Sequence, residues 1–177
     1  MQELRIERLG RQGDGLAGAL RVPFALPGEQ VRGSVDGDLV TDIAVLEPSP
    51  DRVSPPCELF GRCGGCALQH ASDAFLAGWK ADTIRRALAA HRIETEIRPS
   101  LTSPPRSRRR AVLAGSRTRK TVTIGFHARR SDAIVPLADC HVLSAVILAG
   151  FPAFEAITRA GASRSAPIRI AVTAGPA

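Results

Sequence analysis

The residues best suited to chemistry are four cysteines. Three fall in one short loop, Cys57-Glu58-Leu59-Phe60-Gly61-Arg62-Cys63-Gly64-Gly65-Cys66, and the fourth lies far downstream in Asp139-Cys140-His141. Cys63 and Cys66, two residues apart, have the usual bite of two thiolates on one metal centre. Gly64 and Gly65 let the loop turn sharply and can aim backbone N–H groups at sulfur, which offsets thiolate charge. With Cys57 coming back over the loop and Cys140 reaching in from elsewhere, the pattern points to one closed tetrahedral metal or iron–sulfur site.

Spacing leaves two kinds of centre open. Zinc ribbons bring two CxxC pairs, and here the second half is the lone Cys140. A radical-SAM cluster needs cysteines spaced x3 and x2 with one iron left open; the x5 and x2 spacing and the fourth cysteine argue against it. Structural zinc and a closed [4Fe–4S] cluster both remain. His70 and His141 could replace a cysteine in principle, but with four thiols present they read as packing or supporting residues.

The net charge is +7, and residues 98–130 hold ten basic and no acidic side chains. That is a local cationic surface, and its natural partner is a polyanion, most simply nucleic acid. Candidate contacts are Arg106, Arg108, Arg109, Arg110, Arg117, Arg119, Lys120, Arg129 and Arg130, with Phe126 and His127 able to stack on exposed bases. Alternation along a strand would put Arg108 and Arg110 on one face and Arg109 on the other. No secretory signal is visible, and the most apolar stretch, Val142 to Phe154, is too short to span a bilayer. A cytoplasmic location is the default, where four cysteines serve as metal ligands more readily than as disulfides. Nothing points to a membrane partner or to DNA specificity.

These residues need elements to hold them. Residues 1–50 read as short strands broken by Gly and Pro: Leu4 to Leu9 alternates, and Gln30 to Val35 and Ile43 to Leu46 follow. Such strands fit a small OB-type barrel. Pro48, Pro50, Pro55 and Pro56 lead into the cysteine loop. Ser72 or Asp73 caps a helix over about 73–91, with Phe75, Leu76, Trp79, Thr83, Ile84, Ala87 and Leu88 as its apolar stripe. A β-meander is expected over Arg108–Ala114, Thr121–His127 and Ala133–Val135. A mainly helical stretch from Ser144 to Arg159 should kink or break at Pro152. A last strand from Ile168 to Val172 has no visible partner.

Cys57-x5-Cys63-Gly64-Gly65-Cys66-x2-Gln69-His70, with Cys140 downstream, resembles the signature of the bacterial RNA uracil-C5 methyltransferases, which make 5-methyluridine in 23S rRNA and tRNA. Pro104-Pro105-Arg106-Ser107-Arg108-Arg109-Arg110 is similar to that family's basic strand. Ile124-Gly125-Phe126-His127-Ala128-Arg129-Arg130-Ser131 is similar to its G-F-x-x-R-x-S hairpin. Residues 1–50 look like its TRAM domain, an OB-type RNA-binding barrel. The resemblance covers nearly the whole chain.

It implies a [4Fe–4S] cluster on Cys57, Cys63, Cys66 and Cys140, an α+β chain with a TRAM barrel at 1–50, and an incomplete cluster-bearing central domain at 51–177. It implies 23S rRNA or tRNA as partner, the rRNA type favoured. It also implies what is missing. The family's nucleophilic cysteine and its Rossmann-like S-adenosylmethionine domain have no counterpart in these residues, and Pro104-Pro105-Arg106 follows Ser103 where an Asp-Pro-Pro-Arg segment would have Asp. The expectation is therefore an amino-terminal portion that binds RNA and a cluster, does not bind S-adenosylmethionine, and does not methylate by itself. The alternative is a stand-alone RNA-binding iron–sulfur or zinc protein.

Overall fold

The alternating run at the amino terminus is not one straight strand. In a computed structural model that describes residues 1–175, Gln2–Arg5 (β1) and Arg8–Leu9 (β2) are separated by a bend at Ile6-Glu7. The Ile6 N–H donates to the Glu29 carbonyl at 2.9 Å, and the next N–H, of Glu7, donates to Leu16 at 2.8 Å on the other side. The bend breaks the period of two, so Ile6 and Leu9 are the buried residues. β1 pairs with Gln30–Asp36 (β5), and β2 with Gly15–Ala17 (β3). Leu20–Val22 (β4) and Leu39–Glu47 (β6) complete a six-stranded sheet in the order β1-β5-β6-β4-β3-β2. Its two outer strands are consecutive in sequence, so the sheet curls and closes on itself. Ile6, Val22, Ala25, Val31 and Val40 fill its interior.

Two compact units divide the chain, and each is discontinuous: residues 1–55 with 67–102, and 56–66 with 103–177. The helix, Asp73–Ala89 (α1), falls with the six-stranded sheet, not with the cysteine loop that precedes it. The reason is local packing: Phe75, Leu76 and Trp79 lie against buried Leu9, Leu26 and Ala71. Ser72 caps α1 as expected, its hydroxyl accepting from the Phe75 N–H. The apolar stripe is used only in its first half, since Ile84 is half exposed and no residue of α1 is fully buried.

A buried carboxylate ties the first unit together. Glu29 is fully buried and accepts from the N–H groups of Leu26 (2.8 Å) and Ser49 (3.2 Å) and from the Arg52 guanidinium (2.8 Å), which also reaches the Phe24 carbonyl (2.7 Å). Burial alone would push this carboxyl up, but the Arg52 guanidinium and the two N–H groups together hold it below its ordinary value.

The second unit is a four-stranded antiparallel sheet in the order β10-β7-β8-β9, built from Arg110–Arg117 (β7), Val122–His127 (β8), Ile134–Pro136 (β9) and Ile168–Thr173 (β10). The meander is present as read, with its first strand beginning at Arg110 instead of Arg108. The last strand does have a partner, contrary to expectation: β10 pairs with β7 from Ile168↔Gly115 to Thr173↔Arg110, on the edge that β8 leaves open. The helical stretch breaks as expected, into Ala145–Ala149 (α2) and Phe151–Gly161 (α3). The break falls at Gly150, with Pro152 in the first turn of α3, where its missing N–H costs nothing. Leu113, Ile124, Leu137, Cys140, Leu143, Ile147 and Ile170 form this unit's core. Among the described residues no helix is long and apolar enough to cross a membrane.

Replacing Glu29 by Gln should lower stability by about 3 kcal/mol, the low end for breaking a buried ion pair because Arg52 keeps a quarter of its side chain in water. Since the folded carboxyl sits below its unfolded value, its contribution is full above the ordinary carboxylate range and is lost as pH falls through the folded value. Urea melts at pH 7 and pH 3 should therefore show the E29Q deficit shrinking in acid; an equal deficit at both would contradict the sign.

Candidate cysteine centre and basic surface

All four cysteines lie in the second unit, because the loop 56–66 leaves its sequence neighbours and joins residues 103–177. Hydrogen bonds wind the loop tightly: Phe60 N–H to the Cys57 carbonyl (3.0 Å), Arg62 N–H (3.1 Å) and Cys63 N–H (2.9 Å) to the Leu59 carbonyl. The left-handed turn within it is at Gly61 (φ +86°), not at Gly64 or Gly65. Those two glycines serve close approach. The Gly64 N–H donates to the His127 carbonyl at 2.9 Å, and Cys63 bridges Ala128, so the loop is fastened to the end of β8. A Cβ on Gly64 would stand 2.7 Å from that carbonyl. The Gly65 N–H points at the Cys63 sulfur, 3.4 Å away, as the sequence led us to expect of this loop.

Cys140 is buried in the apolar core, and Cys63 packs against the same core. Burial pushes the Cys63 thiol up, the Gly65 N–H opposes that, and charge on Cys66, Cys140 and Cys57 would raise it further. The four sulfurs therefore share one electrostatic neighbourhood. Among the described residues no three Cys, His, Asp or Glu side chains converge closely enough to hold a single metal ion. The donor set is all sulfur, the environment half-buried, and a backbone N–H is aimed at a thiol; these features fit a thiolate-bound cluster. His70 is buried in the first unit, edge-on to Phe24 at 6.2 Å. The His141 carbonyl accepts from the Arg106 N–H.

The basic residues divide into two groups. Arg106 forms a two-pronged pair with Asp139 at 3.0 and 2.8 Å, beside Cys140. The guanidinium holds the Asp139 carboxyl below its ordinary value. Backbone bonds from Arg106 to the His141 carbonyl and from Arg108 to the Val142 carbonyl, both 2.9 Å, lay this segment along the stretch that follows Cys140. The Arg108 guanidinium reaches the Gly65 carbonyl at 3.4 Å. Arg117 donates to the Ala162 carbonyl at the end of α3. Phe126 is half-buried and packs against the core and Gly65.

The other group faces solvent. Arg109 and Arg110 are exposed, and with Arg108, Thr173, Ala174 and Gly175 they line an open depression of about 450 Å³. The three arginines thus meet in one place instead of alternating between faces, since β7 begins only at Arg110. Arg119 and Lys120 project from the turn that Thr118 closes, its hydroxyl accepting from the Lys120 N–H at 3.2 Å. His127 is exposed, its Nδ1 lying 3.1 Å from the Asp132 carbonyl. Arg130 is exposed and Arg129 half-buried. Sequence reading left Asp139 without a role; the signal was there, an acid directly before Cys140 and an arginine-rich segment with no acids of its own.

No protein-family model matches the chain. It is 42% identical over 160 residues to an uncharacterized RNA methyltransferase of Caulobacter vibrioides, covering 86% of this chain and 39% of that one. It is 34% identical over 157 residues to the 23S rRNA (uracil(1939)-C(5))-methyltransferase of Marinomonas posidonica, covering 81% and 35%. In fold it resembles the crystal structure of Pyrococcus abyssi tRNA (uracil-54, C5)-methyltransferase in complex with S-adenosyl-L-homocysteine. The TM-score there is 0.60 at 24% identity, over 89% of this chain and 36% of that one. The chain spans about two fifths of the length of the curated relatives it matches.

The fastening of the loop to β8 gives a direct expectation. Gly64→Ala should cost about 1–3 kcal/mol, as overpacking against fixed backbone does. A thermal melt of that variant beside wild type measures it, and an unchanged midpoint would show that the loop is not held against His127.

Proposed function

The chain belongs to the RNA methyltransferase family, and we propose that it supplies the RNA-recognition and iron–sulfur portion of a SAM-dependent RNA uracil-C5 methyltransferase, with rRNA the favoured substrate. The observation that carries this is that Cys57, Cys63, Cys66 and Cys140 all fall in the second unit, Cys140 in its core and Cys63 against it, inside a chain whose relatives are named for RNA methylation. In this reading the closed six-stranded sheet is the OB-type TRAM barrel, and the unit built on β7–β10 is the central domain.

The four cysteines would hold a [4Fe–4S] cluster. When bound, it supplies a rigid cross-link between residues 74 positions apart, not electron transfer, since uracil methylation moves none. The chain's own residues do the rest. Arg106 fixes Asp139 and with it the approach to Cys140, Gly65 presents its N–H to sulfur, and Arg109, Arg110, Arg119 and Lys120 attract RNA phosphates. Methylation at C5 requires a thiolate to add at C6 and a base to remove the C5 proton. With all four cysteines assigned as ligands, we place both groups, and the S-adenosylmethionine site, outside these 177 residues. Labelled S-adenosylmethionine with rRNA should therefore leave no label in RNA when this chain acts alone.

Two measurements test the reading. Anaerobically purified protein should be brown and contain iron and acid-labile sulfide, and Cys140→Ser should lose both and melt earlier. A colourless protein with one zinc per chain would replace the cluster by zinc. Replacing Arg109 and Arg110 together by Ala should weaken RNA binding and reduce the slope of log affinity against log salt by about 1.4, at about 0.7 per contact to single-stranded RNA. An unchanged slope would remove this depression from the interface.

A further inference from the structure

The first unit carries a second cationic site that counting charges along the sequence conceals. Residues 1–56 hold nine acidic and six basic side chains. Even so, a groove of about 450 Å³ on this unit is lined by Arg8, Arg11, Arg86 and His91 and by no acidic side chain. Folding does the sorting. Leu9 turns inward to pack with Leu26 and Trp79, so its neighbour Arg8 points out. The turn closed by Gly10 N–H to Asp14 (2.7 Å) and Gly13 N–H to Gly10 (3.0 Å) carries Arg11 to the same rim. On α1, Arg85 takes up Asp82, which leaves Arg86 to the groove. Gly10, Ala87 and Ala90 supply no bulk, and that is why there is space between β2 and the end of the helix.

Trp79 forms part of the lining. It is half-buried and held by the Leu9–Leu26–Ala71 cluster, and its indole N–H makes no hydrogen bond within the chain among the described residues. A fixed aromatic surface with a spare donor, ringed by cations, is the chemistry that takes a nucleobase and its phosphates. The end of α1 carries roughly half a negative charge, which opposes an anion there, but it is outweighed by three guanidinium groups within the same groove. The helix end is also covered: the Ala90, His91 and Ile93 N–H groups already bond the Arg86 and Leu88 carbonyls. The volume is that of a small-ligand site.

We propose that this groove binds a single-stranded segment of the RNA, with one base against Trp79 and its neighbouring phosphates on Arg8, Arg11 and Arg86. This rests on the RNA-binding reading above and adds a site to it, distinct from the one at Arg109 and Arg110.

The chain contains one tryptophan and no tyrosine, so Trp79 emission reports on this groove alone. Titrating the intact chain with a short single-stranded oligoribonucleotide should quench that emission saturably, in parallel with binding followed by anisotropy of a labelled oligonucleotide. R8A/R86A should abolish the quench and lower affinity at least tenfold, with the circular dichroism spectrum unchanged. R109A/R110A should weaken binding while keeping the quench. Binding by anisotropy with constant Trp79 emission and wild-type affinity in R8A/R86A would overturn the groove and leave the RNA reading intact. No binding at all would overturn both. A mononucleotide that quenches at the same concentration as the oligonucleotide would replace RNA by a free nucleotide, and inorganic phosphate doing so would replace it by a simple anion.

Discussion

The second unit depends on the return of one loop. Residues 56–66 leave the first unit, fasten to the end of β8 through Gly64 and Cys63, and then hand the chain back for residues 67–102. The unit's core includes Cys140 and is lined by Cys63 and Leu59, so it is incomplete until that loop has arrived. Neither unit is a continuous stretch of sequence. Contacts of this kind reward the chain only after long loops have closed, which makes a covalent or coordinate link between the two segments worth more than its local contacts. The cysteine spacing and the discontinuity of the fold express the same constraint.

The arginines around the loop show how net charge and function separate. Ten basic residues in 98–130 read as one polyanion-binding surface, yet the fold assigns Arg106 to Asp139, Arg108 to the Gly65 carbonyl and Arg117 to the end of α3. A fork between guanidinium and carboxylate fixes geometry as well as charge, so Arg106, though half exposed, helps hold the Asp139-Cys140 segment. It still contributes to the long-range field, although Asp139 cancels most of it nearby. Arg109, Arg110, Arg119 and Lys120 stay exposed without such a role, and the RNA contact proposed above rests on them. In the first unit the reverse holds: two basic side chains of a net acidic segment, Arg8 and Arg11, share one groove with Arg86 and His91.

Local signals were legible in the sequence, and long-range choices were not. Ser72-Asp73 before an apolar stripe marks the start of α1 to within a residue, and Pro152 marks a helix break. What could not be read was which edge a strand would choose. Ile168–Thr173 carries no mark that it belongs beside β7, because pairing is decided by the open edge and by Ile170 reaching the core. The bend at Ile6-Glu7 was equally hidden, since a run that alternates reads as straight until two partners compete for it. Glu29 drew no attention in the sequence; only three-dimensional placement gives it Arg52 and two N–H donors.

Four thiols held together in a half-buried place have only two comfortable states. Protonated, they are small apolar groups, and Cys140 packs among Leu113, Leu137 and Leu143 accordingly. Ionised, they repel one another and lose hydration, which is why burial and the neighbouring sulfurs push the Cys63 thiol in the same direction. A single Gly65 N–H is too weak a counterweight to hold several thiolates there. A centre of positive charge among them would reverse the balance, and that is what the proposed cluster would supply. In their protonated state the same residues fill a core, and Gly64 and Gly65 let the loop lie close against the end of β8.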